Sequence, residues 1–178
     1  MNYLQEKKSR PGIPGAMNRL YNKEEVLGFV AGEKKAQEMM DKIYLSAGWN
    51  IDRSHACKKF DLYLYNNMYR ARVEEKFRSA DHDDLLIEFI QMIETRPPEL
   101  GWYYYIEADY LNYIICDNWQ PKKIYTLKWG SFTSWMLDYL KVTKFANAIF
   151  SPRGKGLTLN ISINWLDIPN NLYKVKSL

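Results

Sequence analysis

Two short runs of alternating character carry the clearest pattern in the chain. In Phe60 to Tyr65, Phe60, Leu62 and Leu64 share one parity, and Asp61, Tyr63 and Tyr65 share the other. In Arg70 to Arg78, Ala71 and Val73 alternate with Arg70, Arg72, Glu74 and Lys76. A period of two predicts β-strands, because successive side chains leave a strand on opposite faces. Asn66-Asn67 lies between the runs, and asparagine tolerates the positive φ of a tight hairpin. A two-residue loop there would pair Tyr65 with Met68, Tyr63 with Arg70 and Asp61 with Arg72. Asp61, Glu74 and Lys76 then share a polar face, and Phe60, Leu62, Leu64, Ala71 and Val73 line the apolar one. A loop one residue longer or shorter, with no bulge to compensate, would separate Asp61 from the other two.

Upstream, the period lengthens to that of a helix. Residues Asn22 to Ala47 place Val26, Val30, Met40 and Tyr44 in a stripe, flanked by Leu27, Ala36, Met39, Ile43 and Ala47. Asn22 and Glu25 have capping-box spacing, and Gly48 is the stop signal. Glu33 and Gln37 fall within the stripe. A carboxylate on a buried face is costly unless it is paired or binds metal. Glu33 is therefore either a site residue, or an ion-pair partner or exposed position at the end of the stripe.

Downstream, Leu85 to Ile93 is an apolar run broken only by Glu88 and Gln91, and it predicts a central strand buried on both sides. Glu88 and Gln91 are three apart and point to opposite faces of the strand, so at most one can join a site. Strands are predicted near Glu107 to Cys116 and Lys123 to Lys128, with a helix over Ser131 to Phe145 and a final strand from Leu157 to Ile163. Asp81-His82-Asp83-Asp84 reads as a solvated loop, and Tyr103, Tyr104 and Tyr105 as packing residues. The class is α/β: a long N-terminal helix, then a mixed sheet opened by an antiparallel hairpin, with flanking helices. Residues 1–21, with Pro11, Gly12, Pro14 and Gly15, read as a flexible arm, and 22–178 as one domain.

Composition narrows the functional classes. The chain has 178 residues, 47% hydrophobic and 26% charged, which is globular in character. No apolar run is long enough to span a membrane, and the N-terminus lacks the apolar core of a secretory signal. Cys57 and Cys116 form no paired motif, which fits a reducing cytoplasm. His55 and His82 do not complete a four-ligand zinc set with them. Phosphate-binding glycine loops, dinucleotide fingerprints and serine-histidine-aspartate groupings are missing. The net charge of +4 is mild. However, Arg70, Arg72 and Arg78 share the polar strand face with the acids, where cations suit phosphate backbones.

Two carboxylates and a lysine on one sheet face suit a hard divalent cation such as Mg²⁺ or Mn²⁺, which takes oxygen ligands and retains waters. The metal can polarise a phosphoryl oxygen or activate water, and the lysine can hold that water or offset developing charge. A solvated, salt-bridged strand face is the alternative reading of the same residues.

The order helix, strand with Asp61, hairpin, strand with Glu74-x-Lys76 resembles the PD-(D/E)xK superfamily of restriction-endonuclease-like nucleases. Phe60 stands where that motif usually has proline. The likeness covers roughly Glu24 to Asp117, and Asp84 to Glu88, Gly101-Trp102 and Ala108 to Leu111 are similar to one bacterial and phage branch. The resemblance implies a metal-dependent nuclease, with endonuclease action on the phosphodiester bonds of DNA as the expectation. Asp61 and Glu74 would be metal ligands, Lys76 catalytic, and Glu33 the helix-borne glutamate that faces the site in many members. Double-strand cleavage would ask for two sites, which leaves a homodimer open. A nuclease-fold protein that binds nucleic acid without cutting it is the rival reading.

Overall fold

In the computed structural model the described residues are 23–93, 97–153 and 156–178. Among these residues, ten strands and two α-helices run in the order α1 (Lys23–Ser46), β1 (Asn50–Asp52), β2 (Leu62–Tyr65), β3 (Arg70–Arg78), β4 (Asp84–Ile93), β5 (Glu99–Leu100), β6 (Tyr110–Asp117), β7 (Gln120–Lys128), α2 (Trp129–Thr143), β8 (Ala148–Arg153), β9 (Gly156–Asn164) and β10 (Tyr173–Ser177). They form a mixed six-stranded sheet, β1-β2-β3-β6-β7-β10, and a four-stranded sheet, β5-β4-β9-β8. The pairing of β3 with β6 is parallel, and every other pairing is antiparallel. A parallel neighbour requires a crossover. Here the chain makes it by leaving the large sheet to build β4, β5 and a 3₁₀ turn at Trp102–Tyr104.

The large sheet is covered on both faces. Leu62, Leu64, Val73, Ile114, Cys116 and Ile124 meet Ala36, Met40 and Tyr44 of α1. On the other face, Leu111, Tyr113, Ile115, Tyr125 and Leu127 join Leu85, Ile87, Ile161 and Ile163 of the second sheet and Phe132, Met136 and Leu140 of α2. Each fully buried aliphatic side chain contributes about 1.5–3 kcal/mol by leaving water. These two layers hold β3 between them.

α1 follows the predicted period at its C-terminal end only. Ala36, Met40 and Tyr44 are buried, and Gly48 ends the helix at φ +83°. Leu27 and Val30 are 57% and 60% exposed, so the expected stripe loses contact with the sheet there. Gly32 is buried because the Trp119 indole rests on the helix at that point, where a Cβ would lie 2.3 Å from the ring. Trp119 reaches it from the β6–β7 turn, whose Asn118 and Trp119 both have positive φ. The Asn22 cap, the side chains of Glu25 and Val26, and the arm over 1–21 lie outside the described residues.

The β2–β3 hairpin corrects the expected register. Tyr65 pairs with Arg70, Leu64 with Ala71, Tyr63 with Arg72 and Leu62 with Val73, leaving Asn66 to Tyr69 as the loop. The Asn66 side chain accepts from the amides of Met68 and Tyr69, both at 2.9 Å, and this side-chain turn stabilises the longer connection. The shift is two residues, so the faces predicted for Leu62 and Leu64 survive. Phe60 does not follow them. It bridges to Cys57 before the strand begins and packs with the second-sheet core.

The expected central strand over Leu85 to Ile93 belongs instead to the second sheet, between β5 and β9. A bulge between Glu88 and Ile90 sets Glu88 opposite Asn160 and Gln91 opposite Thr158. The extra residue brings Glu88 and Gln91 to one face, where the Gln91 amide donates to the Glu88 carboxylate. Regular alternation would have separated them. Asp84, expected in a solvated loop, is buried at the start of β4. The strand expected to end the chain is β9, and β10 follows it.

Candidate functional site

β3 carries three successive buried residues, Val73, Glu74 and Glu75. Both glutamates are almost inaccessible, at 4% and 3% exposure, and they project to opposite faces of the sheet. Glu74 lies beside Leu111 in the parallel β3–β6 pairing, and Lys76 beside Tyr113. Both neighbours belong to the core shared with the second sheet. Glu74 therefore sits at an apolar border, with Lys76 two residues along the same face.

Asp61 completes the group from the hairpin partner. Its amide donates to the Val73 carbonyl at 2.9 Å, which continues the β2–β3 ladder one residue past Leu62. Its Oδ2 accepts the Glu75 amide at 2.7 Å. The Asp61 and Glu74 carboxyls lie within hydrogen-bonding reach of each other, and Lys76 Nζ donates to Glu74 Oε1. Asp61, Glu74 and Lys76 thus converge as expected, by a different register from the one predicted.

The electrostatics follow from this packing. Burial raises the Glu74 pKa from 4.5 to about 7, the Lys76 ammonium opposes the shift, and Asp61 adds to it. Near neutrality Glu74 is partly protonated, because burial and the neighbouring Asp61 carboxylate both disfavour its charge. Lys76 Nζ stands 5.4 Å from the centre of the Trp102 ring, a weak cation–π contact that draws the 3₁₀ turn to the site. Gly101 permits this approach. A Cβ there would lie 2.3 Å from the Glu88 carbonyl oxygen, and its amide donates to the Phe89 carbonyl.

The other candidates separate. Glu33 is exposed on α1, and α1 packs on the reverse face of the sheet from Glu74 and Lys76. The helix crosses the sheet on that side because Leu62, Leu64 and Val73 present the apolar parity to it. Arg78 is committed within the fold, donating to Asp84 Oδ1 and to the Tyr113 hydroxyl, each at 2.7 Å. Arg72 pairs with Asp109 through its backbone amide and its guanidinium. Arg70 is exposed, its guanidinium carbon 3.9 Å above the Tyr63 ring. Elsewhere on the surface, Lys59 pairs with Glu107 and Lys123 with Asp81.

Glu75 escaped the sequence reading. Its carboxylate accepts from the Tyr44 hydroxyl at 2.9 Å and from Arg53 Nη2 at 2.8 Å. Arg53 also holds Asp41 of α1, and Tyr44 accepts from Asn112, whose amide oxygen takes the Thr126 hydroxyl. The signal was an acid at an apolar-parity position between Val73 and Phe77.

Among the described residues no group of three or more His, Cys, Asp and Glu is arranged to hold a metal ion. The donors that do converge are the two carboxylates of Asp61 and Glu74. Asp61 Oδ2 accepts the Glu75 amide and Glu74 Oε1 accepts from Lys76. Two neighbouring carboxylates are a donor set suited to a hard cation that keeps most of its waters. The residues fit Mg²⁺ on that basis.

Among the described residues no helix is long and apolar enough to cross a membrane. The chain matches no model of a known protein family and no curated protein sequence.

Proposed function

We propose that the chain is a Mg²⁺- or Mn²⁺-dependent nuclease that hydrolyses DNA phosphodiester bonds, with an endonuclease action. The observation that carries this reading is the convergence of Asp61, Glu74 and Lys76 on one face of the β2–β3 hairpin. The order helix, Asp-bearing strand, hairpin and Glu-x-Lys strand supports a restriction-endonuclease-like core. Asp61 and Glu74 would hold the cation, which when bound would supply positive charge for a phosphoryl oxygen and lower the pKa of water. Lys76 presents its ammonium to the attacking water and to charge growing on the phosphate. Arg70, and Arg72 after exchanging its exposed pair with Asp109, hold the flanking phosphates. Glu33 and Arg78 have no part in this assignment.

The test uses purified protein with plasmid or branched DNA and Mg²⁺ or Mn²⁺. Cleavage is expected from the wild type, with a loss of at least about 100-fold in Asp61→Ala and Lys76→Ala. Cleavage that persists unchanged in both variants would defeat the assignment.

A second reading, a nuclease-fold protein that binds nucleic acid without cutting it, is favoured by the lack of a third acidic or histidine ligand among the described residues. Salt-dependent DNA binding with no metal-stimulated cleavage would select it.

A further inference from the structure

The site has a support on the reverse face of the sheet. Glu75 stands between Glu74 and Lys76, and its backbone amide is the donor that fixes Asp61 at 2.7 Å. Its side chain points away from the site into a cluster closed by Tyr44 and Arg53. Arg53 is held in turn by Asp41, with Nη2 at 2.6 Å from Oδ1, and Tyr44 is braced by Asn112 at 2.7 Å. Four elements or segments therefore grip one residue of β3: α1, the segment after β1, β6 and, through Thr126, β7.

A buried carboxylate at this place needs a reason, because desolvation is costly and an apolar residue would pack well against α1. Val73 fills the preceding position on that face. A leucine at position 75 would leave β3 free to slide or rotate slightly against α1, since apolar contacts are non-directional. Two charge-assisted hydrogen bonds at fixed angles remove that freedom. Glu74 and Lys76 leave the opposite face of the same strand, and the Glu75 amide between them holds Asp61, so the placement of β3 governs how the three groups meet.

We infer that Glu75 is a positioning residue for the metal site, its carboxylate clamped by Tyr44 and Arg53 so that its amide holds Asp61 in register with Glu74. This rests on the nuclease reading above. Glu75 touches neither metal nor substrate, and it acts through the strand that carries the ligands. Outer partners of metal ligands have effects of about 10–100-fold on metal affinity, and that range is expected here.

The experiment measures Mn²⁺ dissociation constants by titration calorimetry, together with melting temperatures, for the wild type, Glu75→Gln, Glu75→Leu and Tyr44→Phe. Met136→Ala is the control, since it opens a cavity under α2 away from the network. Affinity should fall about 10–100-fold in Glu75→Leu and Tyr44→Phe, and by less in Glu75→Gln, which keeps an acceptor oxygen. Met136→Ala should melt earlier with unchanged affinity. If Glu75→Leu fails to fold, Tyr44→Phe carries the test, because it removes one hydroxyl only.

Folded variants that all bind Mn²⁺ within about twofold of the wild type overturn the positioning role, well below the usual outer-partner effect. So does an equal loss in Met136→Ala, which would trace the effect to general destabilisation. A wild type that binds no Mn²⁺ overturns the metal reading itself and the inference with it.

Discussion

Arg78 on β3 donates to Asp84 at the start of β4 at 2.7 Å, and the pair ties the large sheet to the small one. The same nitrogen meets the Tyr113 hydroxyl, and Asp84 also accepts from Ser162 of β9. An arginine predicted to hold DNA is thus a structural tie. Asp84→Ala should cost about 3 kcal/mol, because it leaves a half-buried guanidinium without its charged partner. Urea unfolding measures this, and Arg78→Ala should likewise lose stability without changing the salt dependence of DNA binding.

The raised pKa of Glu74 gives metal binding a pH dependence of definite sign. The folded value of about 7 exceeds the ordinary 4.5, so protonation favours the native state. This contribution is complete below 4.5 and is lost as pH rises to about 7. A divalent cation needs the ionised form and competes with that proton. Apparent Mn²⁺ affinity should therefore climb as pH rises to about 7 and then level. Calorimetry across that interval checks it, and an affinity independent of pH there would contradict the raised Glu74 pKa.

Lys76 holds the Glu74 pKa below where burial alone would set it. Lys76→Met should consequently raise the Glu74 pKa further above its present value. Side-chain carboxyl NMR titration reads the change directly, and a downward shift would contradict the ion pair.

Gly101 marks a close approach of two backbones. In Gly101→Ala the new methyl would meet the Glu88 carbonyl oxygen at 2.3 Å. Backbone can yield only by moving β4 or the Trp102–Tyr104 turn, so the substitution should cost about 1–3 kcal/mol. Chemical denaturation measures the loss, and the Trp102 indole should leave Lys76.

Much of the hairpin was legible because parity is robust. The loop proved longer than Asn66-Asn67, yet a shift of two residues preserves faces, and Asp61, Glu74 and Lys76 still meet. Glu33 failed for the complementary reason. Helical periodicity shows that α1 has an apolar stripe, but not which face of the sheet that stripe covers. Glu88 and Gln91 were misread because a bulge leaves no mark in alternation when the residues around it are mostly apolar. Arg72 and Arg78 read as free cations because their partners, Asp109 and Asp84, come from segments that pairing alone brings near.

The sequence alone determined the mixed α/β class, the end of α1 at Gly48, and the sharing of one strand face by Asp61, Glu74 and Lys76. These follow from local rules: the two-residue and 3.6-residue periods, and the freedom of glycine at positive φ. Only the tertiary structure decided that β4 builds a second sheet, that Glu33 stands on the reverse side, and that Glu75 is gripped from α1. Those outcomes depend on which surfaces are buried against each other and on how distant charges find partners inside a core, and no spacing along the chain encodes either.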